Sequence, residues 1–223
     1  MWHWIALLPN SAPEPDVTAP ALPSLQQQLG WWALQFTPRV AWLEDAVVLE
    51  VAASERLFGG AQALRERIQQ EARQMASAQG EADLRSAHAP TALGALALAR
   101  AVCHEAPCTL SRLPLQTLSA VARHASTLAQ LGCRTLGDVR ALPRGGLSRR
   151  FGAGLLQALD QAWGEQPEAF EWLTLPHTFD VQLELPARTD TTEGLRPAFA
   201  HLLHTLCAWM GGHQAGTEQL MLR

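Results

Sequence analysis

Lysine is absent: all 17 basic residues are arginine. That excludes a Schiff-base amine, a P-loop lysine and a compact ammonium charge on a nucleoside triphosphate. Cysteine is scarce, with only Cys103, Cys108, Cys133 and Cys207 and no Cys-x-x-Cys pair. Such usage fits a reduced, intracellular setting, and a cytoplasmic location is expected. Long apolar runs are missing too. The start, Met1 to Pro9, is too short to span a bilayer and lacks the basic residues and cleavage site of a signal peptide. No membrane partner is expected. Positive charge is not in excess either, since the formal net charge is -4. Any nucleic-acid contact must therefore be a local patch.

What is present is globular: 48% of residues are hydrophobic, enough for a buried core. Trp2 to Leu8 reads as a short buried strand. Pro9, Pro13, Pro15, Pro20 and Pro23 make residues 9–24 a loop or extended linker. Leu25 to Gln35 has a helical apolar face. Val40 to Ala52 reads as two strands around a turn near Glu44-Asp45. Ala61 to Gln79 is a strongly amphipathic helix capped by Gly80. Leu84 to His88 reads as a strand, and Thr91 to Val102 as a buried Ala/Leu-rich helix.

From Leu113 the pattern becomes all-helical, with segments at 115–122, 126–131, 136–141 and 154–163. Phe179 to Leu185 then alternates as a strand does. A helix over 193–210 and a last strand over 218–223 complete the reading. A strand, a helix and one more strand make a thin sheet with an open edge, so this end needs completion by a partner or by further chain.

Three stretches, in this order, resemble the Y-family DNA polymerases. The first runs from Phe36-Thr37-Pro38-Arg39-Val40 into Val48-Leu49-Glu50-Val51-Ala52-Ala53-Ser54-Glu55-Arg56-Leu57-Phe58-Gly59-Gly60. It is similar to the palm segment that carries the family's Asp-Glu pair, and its ending is similar to the catalytically inactive ImuB branch. The second, Ala89-Pro90-Thr91-Ala92-Leu93-Gly94, resembles the start of a palm helix. The third, Leu131-Gly132-Cys133-Arg134-Thr135-Leu136-Gly137-Asp138-Val139 with Arg149-Arg150-Phe151-Gly152, resembles the thumb. The resemblance implies an α+β fold in three parts. These are a reduced palm-like sheet with helices (1–112), a helical thumb-like module with a degenerate helix-hairpin-helix (113–166) and a partial little-finger-like sheet (167–223).

The resemblance also shows what is missing. Nucleotidyl transfer needs two metal ions about 4 Å apart, held by carboxylates on neighbouring strands. The first strand, Trp4-Ile5-Ala6-Leu7-Leu8, has no acid. The Asp-Glu pair falls on Asp45-Ala46. A one-residue slip would offer Glu44-Asp45, but it would turn Val47, Leu49 and Val51 to the other face. Asp45 alone therefore reads as a solvated turn residue. The family's Asn-Lys triphosphate contact reads Thr91-Ala92, and the proline-rich stretch before Phe36 has little room for fingers. No enzyme activity and no cofactor are expected.

The thumb-like region keeps basic residues. Arg134, Arg140, Arg144, Arg149 and Arg150, with Gly145, are the candidate DNA-binding residues, although the family's Gly-x-Gly falls on Ser119-Ala120-Val121. The implied role is a non-catalytic adaptor in error-prone translesion synthesis and the DNA damage response, including the SOS response. By resemblance it would bridge DNA, a RecA-like accessory protein and an error-prone replicative-type polymerase. A protein-interaction scaffold that no longer binds DNA is the alternative. Gln219-Leu220-Met221-Leu222 loosely resembles a sliding-clamp peptide, with Arg223 in place of its last aromatic.

His201, His204 and Cys207 share a helix, but the first and last are about 120° out of line, which strains metal binding. No metal is expected there. Cys103, His104 and Cys108 read as a connector with two inert thiols. The tryptophans lie mostly in apolar runs and read as core or partner interface.

Overall fold

The computed structural model describes residues 3–10, 23–80, 83–101, 108–183, 185 and 191–219. The fold is α+β. Strands β1 (Trp4–Pro9), β2 (Val40–Leu43), β3 (Ala46–Glu50) and β4 (Leu84–Ala89) form one antiparallel sheet in the order β2-β3-β1-β4. β1 takes an inner position because it is apolar on both faces, and every one of its residues is buried. β2 and β3 form the expected hairpin. Its turn places Glu44 in the left-handed region, at φ 56°.

The register sets Leu7 opposite Val47 and Ala6 opposite Val48. Val47, Leu49 and Val51 thereby face helices α1 (Leu25–Ala33) and α2 (Ala61–Ala78), where they share a core with Leu29, Leu64 and Ile68.

The other face of the sheet carries Trp4, Ala6, Leu8, Ala46 and Val48 against α3 (Ala92–Arg100). Alanines on both sides of α3 let it lie between two layers. Ala92, Ala95 and Ala99 meet the sheet, while Ala97 joins a second core with Leu113, Leu128, Leu136, Leu155 and Leu159. That core belongs to five short helices: α4 (Ser119–Ala122), α5 (Ala125–Gln130), α6 (Leu136–Ala141), α7 (Arg144–Phe151) and α8 (Ala153–Trp163). A reciprocal capping box between Thr135 and Asp138 starts α6. Its backbone hydrogen bonds hold the Asp138 carboxyl below the usual carboxylate value. The sequence does not announce α7, because Gly145-Gly146 lowers its intrinsic propensity.

The C-terminal end departs from expectation. Helix α9 (Thr192–His213) forms and packs along α1. Gly212 makes this approach possible, since a Cβ there would lie 2.3 Å from the Trp31 carbonyl oxygen. Among the described residues of the strand expected over Phe179 to Leu185, none is in a strand. Its side chains alternate in exposure as far as Leu183, yet no neighbouring strand pairs with it. Glu218 and Gln219 are not in a strand, and 220–223 lie outside the described residues. Among the described residues the expected partial little-finger-like sheet is thus absent, because period-two patterning supplies a face but not a backbone partner. The linker makes a single bridge instead, with Trp172 opposite Ala41 on the outer edge of β2.

Cys108 is disulfide-bonded, which corrects its reading as an inert thiol. Cys103 and His104 lie outside the described residues. No helix among the described residues is long and apolar enough to cross a membrane.

Candidate functional site

The β2–β3 turn, where the catalytic pair was sought, is occupied by an internal ion-pair network. Arg100, the last residue of α3, donates to Glu44 Oε2 at 2.7 Å and also pairs with Asp45 Oδ1. Its other terminal nitrogen donates to Ser119 Oγ at 2.9 Å, and Ser119 in turn contacts Glu44. Asp45 is on the turn as expected, but it is ion-paired rather than merely solvated. Ala46 is wholly buried against α3. Continuing the register sets Leu8 opposite Ala46, so β1 brings no acid to this place. A two-metal site of the polymerase kind does not fit these residues.

The N-terminus of α3, where Thr91-Ala92 stands for the triphosphate contact, is also filled from within. Thr91 Oγ1 accepts the Gly94 N–H at 3.1 Å and donates to the Ala162 carbonyl at 2.7 Å. The backbone N–H groups of Ala92 and Leu93 each donate to the Glu168 carboxylate at 2.8 Å. Unpaired N–H groups and the helix dipole suit an anion there, and Glu168 supplies it. Burial pushes the Glu168 carboxyl up, against the downward pull of those two N–H groups. Beyond Glu168, the rings of Phe170 and Trp172 close over Trp4, with centroids 4.8 and 6.2 Å away.

The candidate DNA-binding arginines divide into two sets. Arg144 is bidentate to Asp160, at 2.9 and 2.7 Å, and Asp160 is only 4% exposed. This hydrogen bonding holds the Asp160 carboxyl below the usual carboxylate value. Arg140 pairs with Glu165 and lies 4.8 Å over the Trp163 ring. Neither guanidinium is free to meet a phosphate, because Asp160 holds Arg144 and Glu165 holds Arg140. Arg134, Arg149 and Arg150 are exposed and make no ion pair among the described residues. Gly145, in the first turn of α7, has open space around it.

The structure adds residues that sequence reading missed. The His124 ring lies 5.2 Å from Phe151, and the Arg150 guanidinium lies 5.8 Å over the same ring. Phe151 thus joins the end of α7 to the α4–α5 turn, which carries exposed Arg123. His124 and Arg150 thus meet at one aromatic ring. The Arg-His dipeptide was the available sequence signal, but only the fold brings it beside α7.

Other groups are placed plainly. His201 lies 3.5 Å from Gln28, and burial pushes its imidazole pKa down. No cluster of His, Cys, Asp or Glu that could hold a metal occurs among the described residues.

An antiparallel α+β sheet bearing an arginine-carrying helical module, with its hairpin acids tied to α3, is the class of protein this architecture defines. No known family profile matches the chain. Protein ImuB of Caulobacter vibrioides does, in each of two strains, at 29% identity over 197 residues. The match covers 84% of this chain and 42% of ImuB, so the chain spans less than half the length of these relatives. It supports an ImuB-like relationship.

Proposed function

We propose that the chain acts without catalysis in error-prone translesion DNA synthesis after damage, as an adaptor between DNA and partner proteins. The sheet plays the part of a palm, and the helical module that of a thumb. The observation that carries this reading is the commitment of Glu44 and Asp45 to Arg100, beside a buried Ala46. The relationship to ImuB supports it independently. Arg149 and Arg150 provide phosphate contacts that position DNA without reading its sequence. The partners are a RecA-like accessory protein and an error-prone replicative-type polymerase, in the cytoplasm. The Gln219–Leu222 peptide is a further contact for a sliding clamp.

The test is genetic. Deleting the gene is expected to drop the damage-induced mutation frequency to the uninduced level. Asp45→Ala in the restored gene is expected to return the wild-type frequency, because Asp45 serves an exposed ion pair worth at most about 1 kcal/mol. An unchanged frequency on deletion contradicts the role; loss of function in Asp45→Ala contradicts the non-catalytic reading.

A second reading, a protein scaffold that does not bind DNA, is favoured by the internal pairing of Arg140 and Arg144. Under it, charge reversal at Arg149 and Arg150 leaves mutagenesis intact.

A further inference from the structure

Gln28 is wholly buried at the seam where α1 meets α9. Its side-chain Oε1 accepts from Gln79 Nε2, just past the end of α2, at 2.6 Å. Its Nε2 donates to the Pro23 carbonyl at 2.8 Å. A carbonyl can only accept, so Pro23 fixes which end of the Gln28 amide is nitrogen. The other hydrogen on that nitrogen is left for His201 Nε2, 3.5 Å away. Only a neutral ring, protonated at Nδ1, offers a lone pair there. A second proton on His201 sets N–H against N–H. Turning the amide over gives no relief, because its oxygen would then face the Pro23 carbonyl.

His201 lies on the stripe by which α9 docks. Thr205 and Ala208 follow it at helical spacing and are buried, and Gly212 meets the Trp31 backbone. The side chains brought here by α1 and by the end of α2, Gln28 and Gln79, are uncharged, and α1 contains no charged residue at all. The titratable neighbour acting on His201 among the described residues is His204, one turn along α9. Burial first, and then His204, favour the neutral ring.

We propose that the docking of α9 on α1 is gated by a proton at His201: the helix seats on the neutral imidazole and loosens when the ring is protonated. Loosening uncovers Gln28 and Trp31, both buried in the docked state. The undocked ring takes up its proton near the ordinary histidine value of about 6.5. The docked ring does so only at lower pH. Docking is therefore at full strength above the ordinary value and weakens as pH falls below it.

Hydrogen exchange of the full chain tests this. Opening of α9, corrected for the intrinsic effect of pH, is read against that of α3, which reports global unfolding. From about pH 7 to about pH 5 the opening of α9 is expected to rise about 3- to 25-fold relative to α3. His201→Gln offers Gln28 an acceptor oxygen at every pH and is expected to abolish that rise, while His204→Gln keeps most of it. NMR titration of the His201 ring in the wild-type chain gives a second readout that needs no variant. It is expected to show the Nδ1–H tautomer and a midpoint below about 6.5. An α9 that follows α3 at both pH values overturns the proposal. So does an undiminished rise in His201→Gln, or an Nε2–H tautomer in the wild-type chain.

Discussion

Leu96→Ala is expected to destabilise the fold by about 3–5 kcal/mol, the upper part of the range for such truncations. Leu96 is 1% exposed and faces the sheet from α3. Its neighbours on that helix face are Ala92, Ala95 and Ala99, and across from it lie Ala6, Ala46 and Val48. Small residues have no reach with which to fill the void, so the cavity persists and its cost adds to the lost transfer energy. α3 also touches the core of the helical module through Ala97, so loosening it weakens both layers. The corresponding fall in melting temperature is about 6–20 °C for a chain of this size. Thermal and urea unfolding of the variant check this. A loss below about 1 kcal/mol would mean the site collapses, and that α3 is not the rigid middle layer described above.

Arg149→Glu with Arg150→Glu is expected to weaken duplex DNA binding at least about 10- to 100-fold at low salt. The two residues are exposed and have no carboxylate partner among the described residues, and Arg150 lies over the Phe151 ring that also meets His124. If both contact phosphates, the slope of log affinity against log salt should shrink by about 2. Arg140→Ala serves as the contrast. Arg140 is already paired with Glu165, and its removal should change affinity by no more than about 2-fold. Fluorescence anisotropy of a labelled primer-template over a salt series measures all three. Equal losses from the Arg140 and Arg149/Arg150 variants would contradict the division of the arginines into paired and available sets. No binding by the folded wild-type chain would favour the scaffold reading.

Much of the fold is legible in local pattern. The β2–β3 hairpin, the amphipathic α2 and the Ala/Leu-rich α3 follow from periodicity and turn residues that act over a few positions. The hidden features depend on distant partners. Arg100 meets Glu44 across 56 positions, and Glu168 reaches Leu93 across 75. Nothing local marks either pair, because an acid in a turn and an acid in a linker look alike until the chain is folded. Residues 179–185 carry a strand's alternation, but a strand exists only with a hydrogen-bonded neighbour. α7 is the reverse case: Gly145-Gly146 disfavours a helix, and Leu147, buried in the module's core, supports it. At the candidate site, the missing acid on β1 and the alanine after Asp45 are visible in sequence. The arginine that neutralises Asp45 is not.

The proposed role requires that this sheet does not perform nucleotidyl transfer. Extension of a labelled primer on a complementary template, with all four deoxynucleoside triphosphates and either Mg²⁺ or Mn²⁺, tests it directly. No template-directed product is expected from the purified chain, at protein concentrations where it is folded. Addition of the nucleotide complementary to the template, lost in Asp45→Ala, would contradict it and return the hairpin acids to a catalytic role.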